Sequence, residues 1–165
     1  MNQMYAEAGV KRKDDAALIG LRALLIFGVA IGVVLVLLGG IFSMIGVVLA
    51  AALVYLYPKL SIEYEYVFVD GQIDFDRITG KSKRKTMLRI DMEQVEIVAP
   101  EGSHALDGYT YVQVQTKDFS SRDKNNKPYI IIAKVEDKTY RIVFEPSEKM
   151  LGMMKQKSPR KIAQL

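Results

Sequence analysis

The sequence predicts a membrane α-helical hairpin followed by a soluble, mostly-β domain of about seven antiparallel strands, an open barrel or sandwich with a C-terminal capping helix. Three observations carry this. Residues 23–57 contain no Asp, Glu, Lys or Arg, although the 165-residue chain has 23 basic and 19 acidic side chains. From Ile62 the hydrophobic period changes to two, with apolar and polar residues alternating and turn dipeptides between the runs. Beyond Pro146 the pattern turns helical again, with Met150, Leu151, Met153 and Met154 on one broad face.

The apolar run needs lipid as its solvent, because a chain this short cannot enclose 35 consecutive apolar residues in one core. It is also too long for one span. A continuous helix would measure roughly 52 Å against a hydrocarbon core of ~30 Å. Gly39 and Gly40 sit mid-run, so the sequence predicts spans over residues 18–38 and 41–57, rather than one long tilted span. Pro58 ends the second helix, since it lacks an N–H and restricts the residue before it. Tyr55 and Tyr57 fall where an interfacial aromatic belt lies, and Arg22 is close enough to the first helix start to snorkel. Lys11, Arg12 and Lys13 resemble a signal-peptide n-region, but the apolar run is more than twice the ~7–15 residues of an h-region. Gly28 and Gly32, and Gly46 and Ala50, are small residues at i, i+4 spacing. Folding at Gly39–Gly40 sets Gly32 opposite Gly46 and Gly28 opposite Ala50, a candidate helix-packing or dimerisation seam.

In the β domain, residues 62–69 put Tyr64, Tyr66 and Phe68 on one face, and Asp70–Gly71 is a two-residue hairpin turn. The return strand, residues 72–78, brings Ile73 opposite Phe68 and Phe75 opposite Tyr66. Glu63, Glu65, Asp74 and Asp76 take the other face. After a turn at residues 79–82, a third strand (83–90) points Thr86, Leu88 and Ile90 inward and Lys83, Lys85 and Arg89 outward, with Lys85 facing Asp76. Further strands are expected at residues 94–99, 109–116, 129–135 and 138–144. Residues 101–108 and 118–127 are loops, the second the most polar and mobile by composition.

Two spans, a short linker and then strands resemble the layout of bacterial membrane-anchored pleckstrin-homology-like proteins. Residues 88–98 resemble the segment between the third and fourth strands of such domains, and residues 140–144 followed by a helix resemble the close. Residues 63–71, with Lys83, Arg84 and Lys85, are similar to an uncharacterised family of small bacterial two-span membrane proteins, defined as a domain of unknown function. The resemblance implies a pleckstrin-homology-like fold, which hosts lipid, peptide and protein binding alike.

Composition and motifs exclude most chemistry. With no Cys there are no disulfides, thiolate metal sites or Cys nucleophiles, and one His leaves no multi-His centre. Glu63, Glu65, Asp74 and Asp76 lack calcium-loop spacing and read as a polar face, so no metal is expected. Ser103, His104 and Asp107 share one loop without the scaffold or oxyanion hole of a triad, and there is no G-x-S-x-G or P-loop element. Tyr64, Tyr66, Tyr109, Tyr111 and Tyr129 read as half-buried strand residues, without a nucleic-acid signature. Neither a catalytic residue nor a cofactor is expected. Lys81, Lys83, Arg84 and Lys85 form the densest basic cluster, a candidate contact for anionic lipid headgroups, or else cross-strand partners for the neighbouring carboxylates.

The expected organisation is a cytoplasmic tail (1–17), the hairpin (18–57), a linker (58–61), a cytoplasmic β domain with its helix (62–157) and a tail (158–165). Lys11, Arg12, Lys13 and Arg22 precede the first span and Lys59 follows the second, while the connecting turn has no charge. The positive-inside bias therefore puts both termini in the cytoplasm of a two-span, multi-pass cell-membrane protein. The expected function is a non-enzymatic, membrane-anchored binding or scaffold module. Its partners would be the bilayer and a protein or a second copy of itself, with no nucleic acid and no small-molecule substrate. The alternative is an accessory subunit of a transporter or envelope enzyme complex, with the hairpin as interface. An unaided transporter does not fit two spans without mid-membrane charge.

Overall fold

A computed structural model describes residues 4–163. The chain forms two compact bodies. One is the hairpin body, Lys13–Ile62 with Thr79–Lys83; the other is the β body, which among the described residues comprises 4–12, Glu63–Ile78 and 84–163.

In the hairpin body, α1 (Ala16–Leu38), and α2 (Gly40–Leu56) taken with the turn that extends it to Leu60, are both apolar and long enough to cross a membrane. Asp15 caps α1, its carboxylate accepting from the Leu18 N–H at 2.9 Å. The turn needs positive φ at two successive residues, 75° at Gly39 and 60° at Gly40, which is why two glycines stand there. Leu25, Gly32 and Gly46 are buried between the helices; most other side chains face outward. A 3₁₀ turn, Tyr57–Leu60, follows α2 with Pro58 in its first positions.

Among the described residues the β body holds eight strands in two sheets. β1 (Tyr5–Lys11), β2 (Ile62–Val69), β3 (Gln72–Thr79) and β4 (Lys83–Asp91) form the first, in that order. The second contains β5 (Val95–Pro100), β6 (Gln115–Asp118), β7 (Tyr129–Val135) and β8 (Lys138–Phe144), in the order β5-β7-β8-β6. Then α3 (Glu148–Lys157) starts at a Ser147 cap, whose hydroxyl accepts from the Met150 N–H.

The inward face follows the sequence alternation except at Thr86, which is exposed rather than inward. Tyr64, Tyr66, Phe68, Ile73, Phe75 and Ile90 are buried, and Met150 and Met154 of α3 are fully covered. Tyr66, Phe75 and Phe144 pack edge to face, with Phe75 stacked on Phe119 at 5.0 Å between centroids. The Asp70–Gly71 turn and the β7–β8 hairpin around Glu136–Asp137 stand where the sequence puts them.

Several expectations need correction. Residues 5–11 are not a tail: β1 pairs antiparallel with β2, Tyr5 opposite Val69 through Lys11 opposite Glu63. Its alternation is carried by Ala6, Ala8 and Val10, too small to register as an inward stripe, yet Ala6 is fully buried. The outermost residues of the expected tails, 1–3 and 164–165, lie outside the described residues, whereas Ile162 bridges Val98 beside β5. The expected strand over 109–116 is instead a 3₁₀ turn, His104–Tyr109, and the short β6, which runs parallel to β8 with Gln115 opposite Tyr140. Finally, α3 begins at Glu148 rather than at Pro146.

Candidate functional site

The basic cluster divides. The β3–β4 turn takes positive φ at Gly80 (63°) and Lys81 (61°), and it packs on the 3₁₀ turn after α2. The Gly80 N–H donates to the Ser61 carbonyl at 3.0 Å, and a Cβ at Gly80 would stand 3.5 Å from the Lys59 backbone. The turn bearing Lys81 and Lys83 therefore sits against the turn bearing Lys59, at the open end of the hairpin. All three lysines are exposed. Lys59 Nζ lies 3.7 Å from the centre of the Tyr55 ring, and the Arg22 guanidinium lies 5.8 Å over Tyr57. Arg22 also pairs with Asp14. The result is a rim of cations and tyrosines where both helices end.

Arg84 belongs elsewhere. Its guanidinium pairs with Glu65 and lies 3.7 Å from Asp76, over the carboxylate face of the first sheet. Arg89 makes two bonds of 2.6 Å to Asp74. The cation beside Asp76 is thus Arg84, not Lys85, which is exposed. The expected solvated carboxylate face is half covered, and Asp76 is only 6% exposed. Among the described residues no group of three or more His, Asp or Glu side chains is arranged to hold a metal ion.

The small-residue seam lies inside the hairpin. A Cβ added at Gly32 would come within 3.0 Å of the Gly46 carbonyl and 3.1 Å of the Ala50 methyl, so these backbones touch. Gly28 does not oppose Ala50; the space a Cβ would need there is taken by the Leu53 side chain. Ala50 meets Gly32 instead, which touches Gly46 as well.

Ser103, His104 and Asp107 do not assemble a reactive set. The Ser103 hydroxyl accepts from the Ala105 N–H as the cap of the 3₁₀ turn, and the His104–Asp107 pair, 3.1 Å apart, is wholly at the surface. Tyr64 and Tyr66 are core residues, and burial pushes the Tyr66 hydroxyl well above its ordinary range. Tyr109 is half-buried, with burial raising its hydroxyl, while Tyr111 is 97% exposed.

Residues 118–126, expected to be mobile, are cross-bonded throughout. Asp118 accepts from the N–H and hydroxyl of Ser120 and from Arg122, and Glu145 accepts from the N–H and hydroxyl of Ser121 and from Asn126. This loop walls a polar cleft of about 560 Å³, and Arg141 is shared between that cleft and a neighbouring one of about 290 Å³ under Leu106 and Tyr109. The signal was the Asp/Ser/Asn spacing at i, i+2, which builds local side-chain turns.

Two open sheets with a C-terminal helix whose Met150 and Met154 are buried fit a pleckstrin-homology-like domain, here carried in one chain with a pair of strongly apolar helices. The chain belongs to the family described as Bacterial PH-like domain (DUF6106), whose profile matches residues 2–164. No curated protein and no solved structure matches it.

Proposed function

We propose that this chain is a non-enzymatic, membrane-anchored binding or scaffold module. It holds its PH-like domain at the cytoplasmic face of the cell membrane on a two-span hairpin. The observation that carries this reading is the pairing of β1 with β2. These strands flank the apolar helices in sequence and are neighbours in one sheet. A chain that leaves a sheet, enters the bilayer and returns to that sheet crosses an even number of times. The uncharged Gly39–Gly40 turn and the cations at the open end then orient the hairpin with both termini inside. Lys59, Lys81 and Lys83 are the side chains best suited to touch anionic headgroups, each adding ~1 kcal/mol near the surface. Arg84 is spent on Glu65 and Asp76, so it contributes little to that contact.

A fluorescent reporter after Leu165 is expected to light up in the cytoplasm, and a chain carrying it is expected to purify with a partner held by the β body. An external reporter signal sinks the topology. A partner that stays bound to the two helices alone moves the function to the hairpin, as an accessory subunit.

A further inference from the structure

We propose that the outer face of the second sheet holds the free C-terminal end of a partner protein whose last side chain is apolar. This rests on the reading that the β body is a binding module. Thr116, Arg141 and Ile132 stand side by side across β6, β8 and β7, so they share one face of that sheet. Ile131 and Ile142 fill the opposite, inward face. Two cavities open on the outer face, about 290 and 560 Å³, and Arg141 lines both. The larger falls within the range of ligand sites and the smaller at its lower edge, ~300 Å³.

The two cavities differ in chemistry. The smaller lies between Leu106, Tyr109 and Val114, over the buried Ile130 and Ile132. The larger is polar, and two of its carboxylates are already engaged: Asp118 accepts from Ser120 and Arg122, and Glu145 from Ser121 and Asn126. Two cations on its border are not. Lys124 is exposed and makes no ion pair among the described residues. The Arg141 guanidinium meets only Glu101 among them, at 3.7 Å, beyond hydrogen-bond length. Its side chain is 41% exposed, so the fork is open to a ligand.

A single carbon atom supplies what this arrangement asks for. The Cα of a C-terminal residue carries an apolar side chain, a carboxylate and a polar main chain. These suit the small cavity, Arg141 and the large cavity in turn, with the carboxylate displacing the loose Glu101 contact. A phosphate fits less well, since its second charge meets Glu101, Asp118, Asp123 and Glu145 around the polar cavity. A fatty acid brings a carboxylate but leaves the polar cavity without a partner.

Peptide pools offered to the full chain in nanodiscs test this. Hexapeptides of random sequence ending in Leu, Ile or Phe are made as free acids and as amides, and those retained are identified by mass spectrometry. Free acids are expected to be enriched about tenfold over amides, the scale of one charge-assisted hydrogen bond. Ending the peptides in Ser should remove the enrichment, and Arg141→Gln should abolish the preference for the acid. Glu101→Gln frees Arg141 and should tighten the free acids several-fold, which no general weakening of the fold would do. Equal retention of acids and amides, enrichment of amides carrying an internal Asp or Glu, or unchanged or weaker binding in Glu101→Gln each overturns the proposal. A protein that copurifies with the wild type and with Arg141→Gln alike overturns this site alone. A chain that copurifies with nothing overturns the binding-module reading beneath it.

Discussion

Gly32 and Gly46 touch backbone to backbone: a Cβ built on Gly46 overlaps the Gly32 carbonyl oxygen, and one built on Gly32 lies 3.0 Å from the Gly46 oxygen. Neither contact has a flexible side chain to yield, so the helices themselves must part. Gly46→Ala is expected to destabilise the hairpin by about 1–3 kcal/mol, and Gly32→Leu by more. Val34→Leu, on the outward face, stays within about 0.5 kcal/mol. Reversible unfolding in mixed detergent reads the difference, and cysteines at 32 and 46 should cross-link within one chain. Cross-links only between chains would assign the seam to dimerisation.

The basic residues should separate into two groups. Replacing Lys59, Lys81 and Lys83 with Gln is expected to remove the extra thermal stability of the chain in phosphatidylglycerol nanodiscs over phosphatidylcholine ones at low salt. Arg84→Gln should leave that difference intact. An equal loss in both variants would show that the cluster acts as one patch.

Arg84→Gln has a different cost. It leaves Glu65 and Asp76 facing each other without their cation, at side-chain exposures of 15% and 8%. A loss of about 1–3 kcal/mol in the β body is expected, toward the lower end because the guanidinium is half exposed. Further replacing Glu65 with Gln should recover part of it. No recovery would mean that the pair is not coupled.

Burial works against the Asp118 charge, but bonds from Ser120 and Arg122 outweigh it and hold the carboxyl below its ordinary value of 3.8. A carboxyl with a lower value folded than unfolded stabilises the fold above the unfolded value. That contribution fades as the pH drops through the folded one. The protection of residues 118–126 against hydrogen exchange, relative to the intrinsic rate at each pH, should therefore fall below about pH 4 in the wild type. Asp118→Asn should exchange faster at neutral pH and lose most of the acid dependence. Acid dependence that persists unchanged in that variant would overturn the assignment to Asp118.

Much of this arrangement was legible beforehand. Charge segregation located both helices, and Gly39–Gly40 located their turn. Large alternating residues such as Tyr64, Tyr66 and Phe75 declared the inward face. What was hidden depended on small or polar residues whose role is set by distant partners. Ala6 looks like tail until Phe68 is opposite it, and β6 owes its place to β8 rather than to its own four polar or charged residues. The split of the basic cluster was equally hidden. Neighbouring lysine and arginine look alike in sequence, but only Arg84 reaches Glu65 and Asp76.

A test of β1 itself follows. Ala6→Asp puts a charge at a position with no exposure, opposite Phe68, and is expected to cost several kcal/mol. Its melting temperature should fall accordingly. A neutral effect would return residues 5–11 to the status of a tail.

On the proposed two-span reading, the pairing of Lys11 with Glu63 also makes the sheet a proofreader of insertion. A chain threaded with one crossing too few strands β1 on the far side of the bilayer, leaving the β2 edge bare and the Phe68 side of the core uncovered. Such a molecule is flagged by its own unfinished sheet, open to proteolysis before it can act. The N-terminal strand, made first, must wait for the whole hairpin before it finds its place, so completion of the fold certifies the topology.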